Sequence, residues 1–142
     1  MRYRYATISD AEILAPLNLQ LICDEGHRNP MDVEQLAQRM KSWLSGEYEA
    51  VLFQEGTSPV GYALFRREPE HVYLRQLFVA PEFRRQGVGR AALYWLWQNA
   101  WLGVQRLRIE VLVENTDARE FWRSVGFREY CVTMEAQVSH GG

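Results

Sequence analysis

Hydrophobic and polar positions change their period several times along the chain. From Arg2 to Ile8 charged residues alternate with Tyr3, Tyr5 and Thr7, which is the period of a strand. Ser9 or Asp10 then supplies a helix cap before Ile13, Leu14, Leu17, Leu21 and Ile22, which recur at helical spacing. Pro16 lies inside that helix, and its missing N–H predicts a kink or a later start. Asp24 to Pro30 is polar and turn-forming. Asp32 and Gln35 have the spacing of a capping box, and Val33, Leu36, Ala37, Met40, Trp43 and Leu44 form an apolar helical stripe that Gly46 ends.

Three strands follow, about Tyr48–Gln54, Val60–Arg67 and His71–Ala80, and their short connections favour an antiparallel meander. After Pro81 comes a charged glycine turn and then a helix rich in Leu93, Trp95, Leu96, Trp97 and Ala100. Arg106–Glu114 reads as another strand, Asp117–Ser124 as a short helix, and Phe127–Val138 as a last strand. The sum is an α/β chain with a mixed, largely antiparallel central sheet flanked by helices on both faces. At 142 residues it is expected to form one domain, since two independent cores would not fit.

Composition narrows the function. Sixteen basic against eighteen acidic residues give a net charge of -2, which argues against a nucleic acid held mainly through phosphates. No apolar run approaches the roughly 20 residues that cross a bilayer, and the alternating start does not resemble a signal peptide, so no membrane partner and a cytoplasmic location are expected. Cys23 and Cys131 have no metal-ligand spacing, which predicts two buried thiols and no metal site. Tyr94, Trp97 and Trp101 fall on one side of their helix and Leu93, Leu96 and Ala100 near another, so this helix covers a sheet or joins a homodimer.

The chemistry concentrates at the glycine turn. Arg84-x-x-Gly87-x-Gly89 stands between a strand and a helix, where the first N–H groups of the helix have no partner within it. Two glycines let the backbone approach an anion, and the helix dipole attracts phosphate. The turn lacks the Lys-Ser/Thr of a P-loop and the glycine spacing of a dinucleotide fingerprint.

The run VYLRQLFVAPEFRRQGVGRAAL, from Val72 to Leu93, resembles the acetyl-CoA-binding segment of the GNAT superfamily of N-acetyltransferases through Val79, Pro81, Arg84, Gly87 and Gly89. IEVLVENTDAREFWRSVGF, from Ile109 to Phe127, resembles that family's next strand and helix through Asn115, Ala118, Phe121, Gly126 and Phe127. The resemblance implies acetyl-CoA as cosubstrate and no metal. It implies a cleft between splayed strands, with pantetheine near Leu77, Phe78 and Val79 and pyrophosphate on the amides of Arg85, Gln86, Gly87, Val88, Gly89 and Arg90. Arg84 or Arg85 would add charge from the side, and Asn115, Phe121 and Trp122 would line the far wall.

An alkyl ammonium of pKa near 10 must lose a proton before it can attack a thioester. Glu110 with Val111 and Asn115 resembles family members in which that Glu is the base; the alternative is an ordinary surface ion pair. Trp122 stands where many members carry a proton-donating Tyr, and an indole N–H is no general acid. Tyr73 or Tyr130 would then give the proton, or the thiolate would leave unaided. The departure also leaves open a catalytically weak or inactive acyl-CoA-binding sensor. In this fold the loop between the first two helices lies over the acceptor, which would place Asp24, Glu25, His27, Arg28 and Asn29 around a small-molecule or peptide amine. The acids would favour a cationic amine and Arg28 a carboxylate, with Arg75 extending the pocket beside Tyr73.

Overall fold

A computed structural model describes residues 1–26 and 28–139. The chain divides into two compact units, Met1–Glu110 and a second beginning at Val111.

The first unit is built on a five-stranded sheet in the order β1 (Arg2–Tyr5), β2 (Tyr48–Glu55), β3 (Ser58–Arg67), β4 (Val72–Val79) and β5 (Leu107–Ile109). The first four strands pair antiparallel and β5 joins β4 in parallel. The meander follows from its connections: β2 and β3 are joined at Gly56, whose φ of 59° takes the turn. At Gly61 a β-carbon would stand 2.0 Å from the Phe78 carbonyl oxygen, so only glycine allows β3 and β4 to approach this closely.

Helices α1 (Ala11–Glu25) and α2 (Val33–Ser45) cover one face of the sheet. Leu14, Leu21 and Met40 pack there with Leu52, Tyr62, Leu64 and Phe78. The capping box at α2 forms in both directions, with Gln35 N–H donating to Asp32 Oδ1 at 2.8 Å and Asp32 N–H to Gln35 Oε1 at 2.9 Å. Pro16 delays nothing: α1 begins at Ala11 and carries the proline as its sixth residue. Its entry is fixed by Asp10, which is 7% exposed, accepts the Thr7 N–H at 2.7 Å and takes both arms of the Arg4 guanidinium at 2.8 and 2.9 Å.

Helix α3 (Val88–Asn99) lies on the other face, burying Ala92, Leu93 and Leu96. Its aromatics are largely consumed within the unit. Trp95 stacks on Tyr3 at 4.9 Å, and Trp101 is 2% exposed with its ring edge-on to Phe65. Trp101 therefore does not share a face with Tyr94 and Trp97. The helix ends at Asn99, Trp101 N–H turns back to the Leu96 carbonyl, and the indole is carried inward while Tyr94 and Trp97 stay exposed.

The expected strand at Arg106–Glu114 shrinks to the three residues of β5. In the second unit α4 (Thr116–Ser124) forms as expected, but Phe127–Val138 is not a strand. Its alternating residues Val132, Met134 and Val138 are 73, 89 and 74% exposed. Alternation gives a segment one apolar edge; a strand also needs a partner, and this unit has no other strand among its described residues. Cys23 and Cys131 are both exposed free thiols, contrary to the expected burial. Cys23 sits on the outer side of α1, and Cys131 lies in the unpaired segment. Among the described residues no helix is long and apolar enough to cross a membrane.

Candidate active site

A single extra residue in β4 shapes the site. Leu64 pairs with Gln76 and Phe65 with Leu74, so Arg75 bulges out of the ladder. Without the bulge, Gln76 and Phe78 would face away from Tyr73. With it, Tyr73, Arg75, Gln76 and Phe78 all serve the α1/α2 face: the Tyr62 hydroxyl donates to Gln76 Oε1 at 2.7 Å, and Phe78 joins the core beneath α1. Burial holds the Tyr62 hydroxyl far above the usual phenol range.

The same bulge marks where β5 leaves. Pairing with β5 covers Val72, Tyr73 and Leu74, and from Arg75 onward the β4 edge has no strand partner among the described residues of the unit. Ala80 N–H donates to the Val60 carbonyl at 2.7 Å, so antiparallel alternation turns the backbone groups of Phe78 toward β3 and those of Leu77 and Val79 toward the open edge. Of the three positions expected along the pantetheine arm, Leu77 and Val79 thus present free-edge groups and Phe78 supplies a buried ring. The Val79 carbonyl is already met by Arg84 Nε at 2.8 Å.

Beyond β4 the chain makes a short 3-10 turn, Pro81–Phe83, and reaches α3 through two left-handed residues. Arg85 has φ 61° and Gly87 φ 76°; among the described residues Arg85 is the one non-glycine residue with positive φ. Left-handed residues separated by one position turn successive N–H groups toward a common concavity suited to an anion. A β-carbon added at Gly87 would meet nothing within 4 Å, so the space in front of the turn is open. Gly87 is also the N-cap of α3: its carbonyl receives the Ala91 N–H at 3.0 Å, and no side chain caps the helix. Gln86 is tied back to the Glu82 carbonyl at 3.1 Å, and Val88 anchors the first turn in the core. Gly89 and Arg90 follow in that same turn.

At the other end of β4 stands Glu110. The Tyr73 hydroxyl donates to Glu110 Oε1 at 2.7 Å, joining the expected base to the residue expected as acid. Burial raises the Tyr73 phenol well above its ordinary range, and the Glu110 carboxylate raises it further, so this proton stays on oxygen. Glu110 itself is exposed to solvent.

The loop between α1 and α2, expected to lie over the acceptor, is organised differently from its sequence reading. Asp24 is bound to Arg84 at 2.6 Å, which ties the end of α1 to the segment before the glycine turn and leaves Asp24 less able to receive a cation. Asn29 Oδ1 accepts the Met31 N–H at 2.9 Å and shapes the loop. Glu25 acts electrostatically on the Tyr62 hydroxyl, Arg28 is exposed, and His27 lies outside the described residues.

A cluster that the sequence did not reveal adjoins these residues. The Arg39 and Arg75 guanidiniums both lie over the Trp43 ring, 4.3 and 4.7 Å from its centroid. Arg75 also donates to the Tyr48 hydroxyl at 3.3 Å, and Arg39 to Asn18 Oδ1 at 3.1 Å. Arg39 precedes Trp43 by one helical turn within the apolar stripe, and Asn18 replaces an apolar residue on the buried side of α1. Those two interruptions were the available signals.

In the second unit Asn115 caps α4, its Oδ1 accepting the Ala118 N–H at 3.2 Å. Trp122 packs edge-on between Phe121 and Phe127, each at 5.0 Å. Tyr130 is 76% exposed.

A β-sheet with one strand edge left open beside a turn suited to an anion is a frame on which an acyltransferase can be built. The acetyltransferase (GNAT) family model matches residues 17–127, and the chain belongs to that family. It is an acyltransferase of the N-acetyltransferase type. Among solved structures it is similar to a mutant of the BH1408 protein of Bacillus halodurans, at 22% identity and a TM-score of 0.80, covering 98% of this chain and 100% of that one. An acetyltransferase from Thermus thermophilus is 26% identical with a TM-score of 0.74 over 90% and 88% of the two chains. The aminoglycoside N-acetyltransferase AAC(6')-Iy in complex with CoA is 18% identical with a TM-score of 0.75, covering 96% and 93%. No curated protein matches.

Proposed function

We propose that the protein transfers the acetyl group of acetyl-CoA to a primary amine of a small molecule or peptide, directly and in a ternary complex. One observation carries the reading: the open edge of β4 runs from the Tyr73–Glu110 pair at one end to the left-handed turn before α3 at the other. That is the order in which a thioester, its pantetheine arm and its pyrophosphate follow one another.

The residues fit the coenzyme. Backbone groups of Leu77 and Val79 suit an extended amide chain lying along the edge, and the Arg85 to Gly89 amides suit the pyrophosphate. Arg84 would contribute mainly by fixing this turn through Asp24 and Val79, leaving Arg85 as the side-chain cation. Asn115, Phe121 and Trp122, in the second unit, are coenzyme-binding residues by family analogy alone.

Bound acetyl-CoA supplies an activated acyl group. Glu110 would take the proton of the incoming ammonium, after which the amine nitrogen forms the new C–N bond and the C–S bond breaks. Tyr73 orients that carboxylate; its own proton is held in the bond to Glu110, which disfavours it as the acid. A thiol of pKa about 8.5 leaves as the thiolate, which takes up the second proton released by the acylated nitrogen. Neither Tyr130 nor Trp122 is then required to protonate sulfur. A base held ready in this way supports an enzyme over a silent sensor.

The test is thiol release from acetyl-CoA over pooled amines, with Glu110→Gln assayed beside the parent. Loss of roughly 100-fold or more in turnover with coenzyme A affinity retained is expected. Equal turnover refutes Glu110 as base, and absence of coenzyme A binding by calorimetry refutes the acetyltransferase reading itself.

A further inference from the structure

Four arginines in the first unit are paired with acids. Arg4 meets Asp10, Arg66 meets Glu68, Arg67 meets Glu49 and Arg84 meets Asp24. Arg39 and Arg75 do not: their partners are the neutral oxygens of Asn18 and Tyr48 and the face they share on Trp43. Two guanidiniums on one indole repel each other, and among the described residues no acid pairs with either. Burial and the Arg75 charge both lower the Arg39 pKa, as expected for a cation placed where an anion is missing.

The donors are also incomplete. Asn18 is fully buried, and its Nδ2 faces the Tyr62 hydroxyl without completing a hydrogen bond. Arg39 Nε is buried with no acceptor. Unfilled buried donors are costly, and two of them beside two uncompensated cations define a place for a ligand with several acceptor oxygens. Arg75 is exposed, Arg39 is half-buried and Asn18 is buried, so the polar groups of the cluster run from the surface inward. Glu25 is the acid whose charge reaches the Tyr62 hydroxyl. One carboxylate does not balance two guanidiniums.

Position ties the cluster to the chemistry. Arg75 follows Tyr73 by two residues on the same face of β4, and Tyr73 is bonded to Glu110. We infer that Arg39 and Arg75 bind a carboxylate of the acceptor, so that the substrate is an amine that also carries an acid group, an amino acid or a related small amino acid derivative, rather than a polyamine or aminosugar. A guanidinium pair receives the planar carboxylate in its two-pronged geometry, the Trp43 and Tyr48 rings flank the aliphatic part, and the amine is left beside Glu110. This inference rests on the acetyltransferase reading and names its acceptor.

The experiment compares matched amines with the full chain and acetyl-CoA: tyrosine with tyramine, tryptophan with tryptamine, phenylalanine with phenethylamine, then glutamate, and spermidine as the cationic probe. In at least one pair the acid-bearing member should be favoured about tenfold or more in kcat/KM, the scale of a charge-assisted contact. Arg75→Met and Arg39→Met should raise KM for that substrate and collapse the ratio, while Arg75→Lys keeps part of it. Coenzyme A affinity, measured by calorimetry, monitors the fold of each variant. Preference for spermidine or the decarboxylated amines overturns the inference, as does an unchanged ratio in folded variants. Coenzyme A binding without turnover of any acid-bearing amine also overturns it. Failure to bind coenzyme A would fell the acetyltransferase reading first, and is thereby distinguished.

Discussion

Removing the Asp10 charge tests how the first strand is locked to the first helix. Asp10 takes two bonds from Arg4 and accepts the Thr7 N–H, and against the upward push of its burial these lower its pKa to about 2 from an ordinary 3.8. A depressed carboxylate stabilises the fold above its unfolded-state pKa, and that stability is lost as pH falls through the folded value. The shift corresponds to at most about 2.5 kcal/mol at neutral pH. The Arg4 side chain is 36% exposed, so water screens the pair and about 1–2 kcal/mol is the expected contribution. In urea unfolding, Asp10→Asn should be destabilised by that amount at pH 7, and the gap to the parent should close between about pH 4 and pH 2. A gap that persists unchanged at pH 2 would mean that packing, rather than charge, makes the difference. A gap below about 0.5 kcal/mol at pH 7 would mean that desolvation cancels the pair.

Two glycines allow similar separation of causes. Gly61→Ala should destabilise by about 1–3 kcal/mol in the same assay, because its β-carbon would meet the Phe78 carbonyl and push β3 from β4; unchanged stability would refute that close approach. Gly87→Ala has open space around it, so its cost should be conformational only, about 1 kcal/mol in stability, with weakened coenzyme A binding by calorimetry as the anion turn distorts; affinity unchanged by the substitution would remove the turn from the coenzyme site.

The order of elements was legible because each has its own period and punctuation. Asp32 and Gln35 announced α2, the Gly56 and Pro69 segments separated the strands, and Gly87 stood at the start of α3. The bulge was not legible. Tyr73, Leu74, Arg75 and Gln76 read as ordinary alternation, and the extra residue shows only against the partner positions in β3. For the same reason Phe127–Val138 read as a strand, since pattern carries no information about a missing neighbour. The site divides likewise. The glycine turn and Glu110 lie in contiguous motifs, whereas Arg39, Trp43, Tyr48 and Arg75 come from three elements whose meeting depends on how α2 crosses the sheet.

One inserted residue thus coordinates three features that regular pairing would keep apart. A bulge bends its strand and raises local twist, which accounts for β5 following β4 only as far as Leu74. It resets the facing of β4, so that Arg75 and Gln76 address the same side and the Phe78 ring reaches the core beneath α1. It also stands between Tyr73, hydrogen-bonded to Glu110, and the open edge of the same strand. The local irregularity is therefore where the sheet gives up its ladder for an open edge, and the Arg75 charge sits on the residue that causes it.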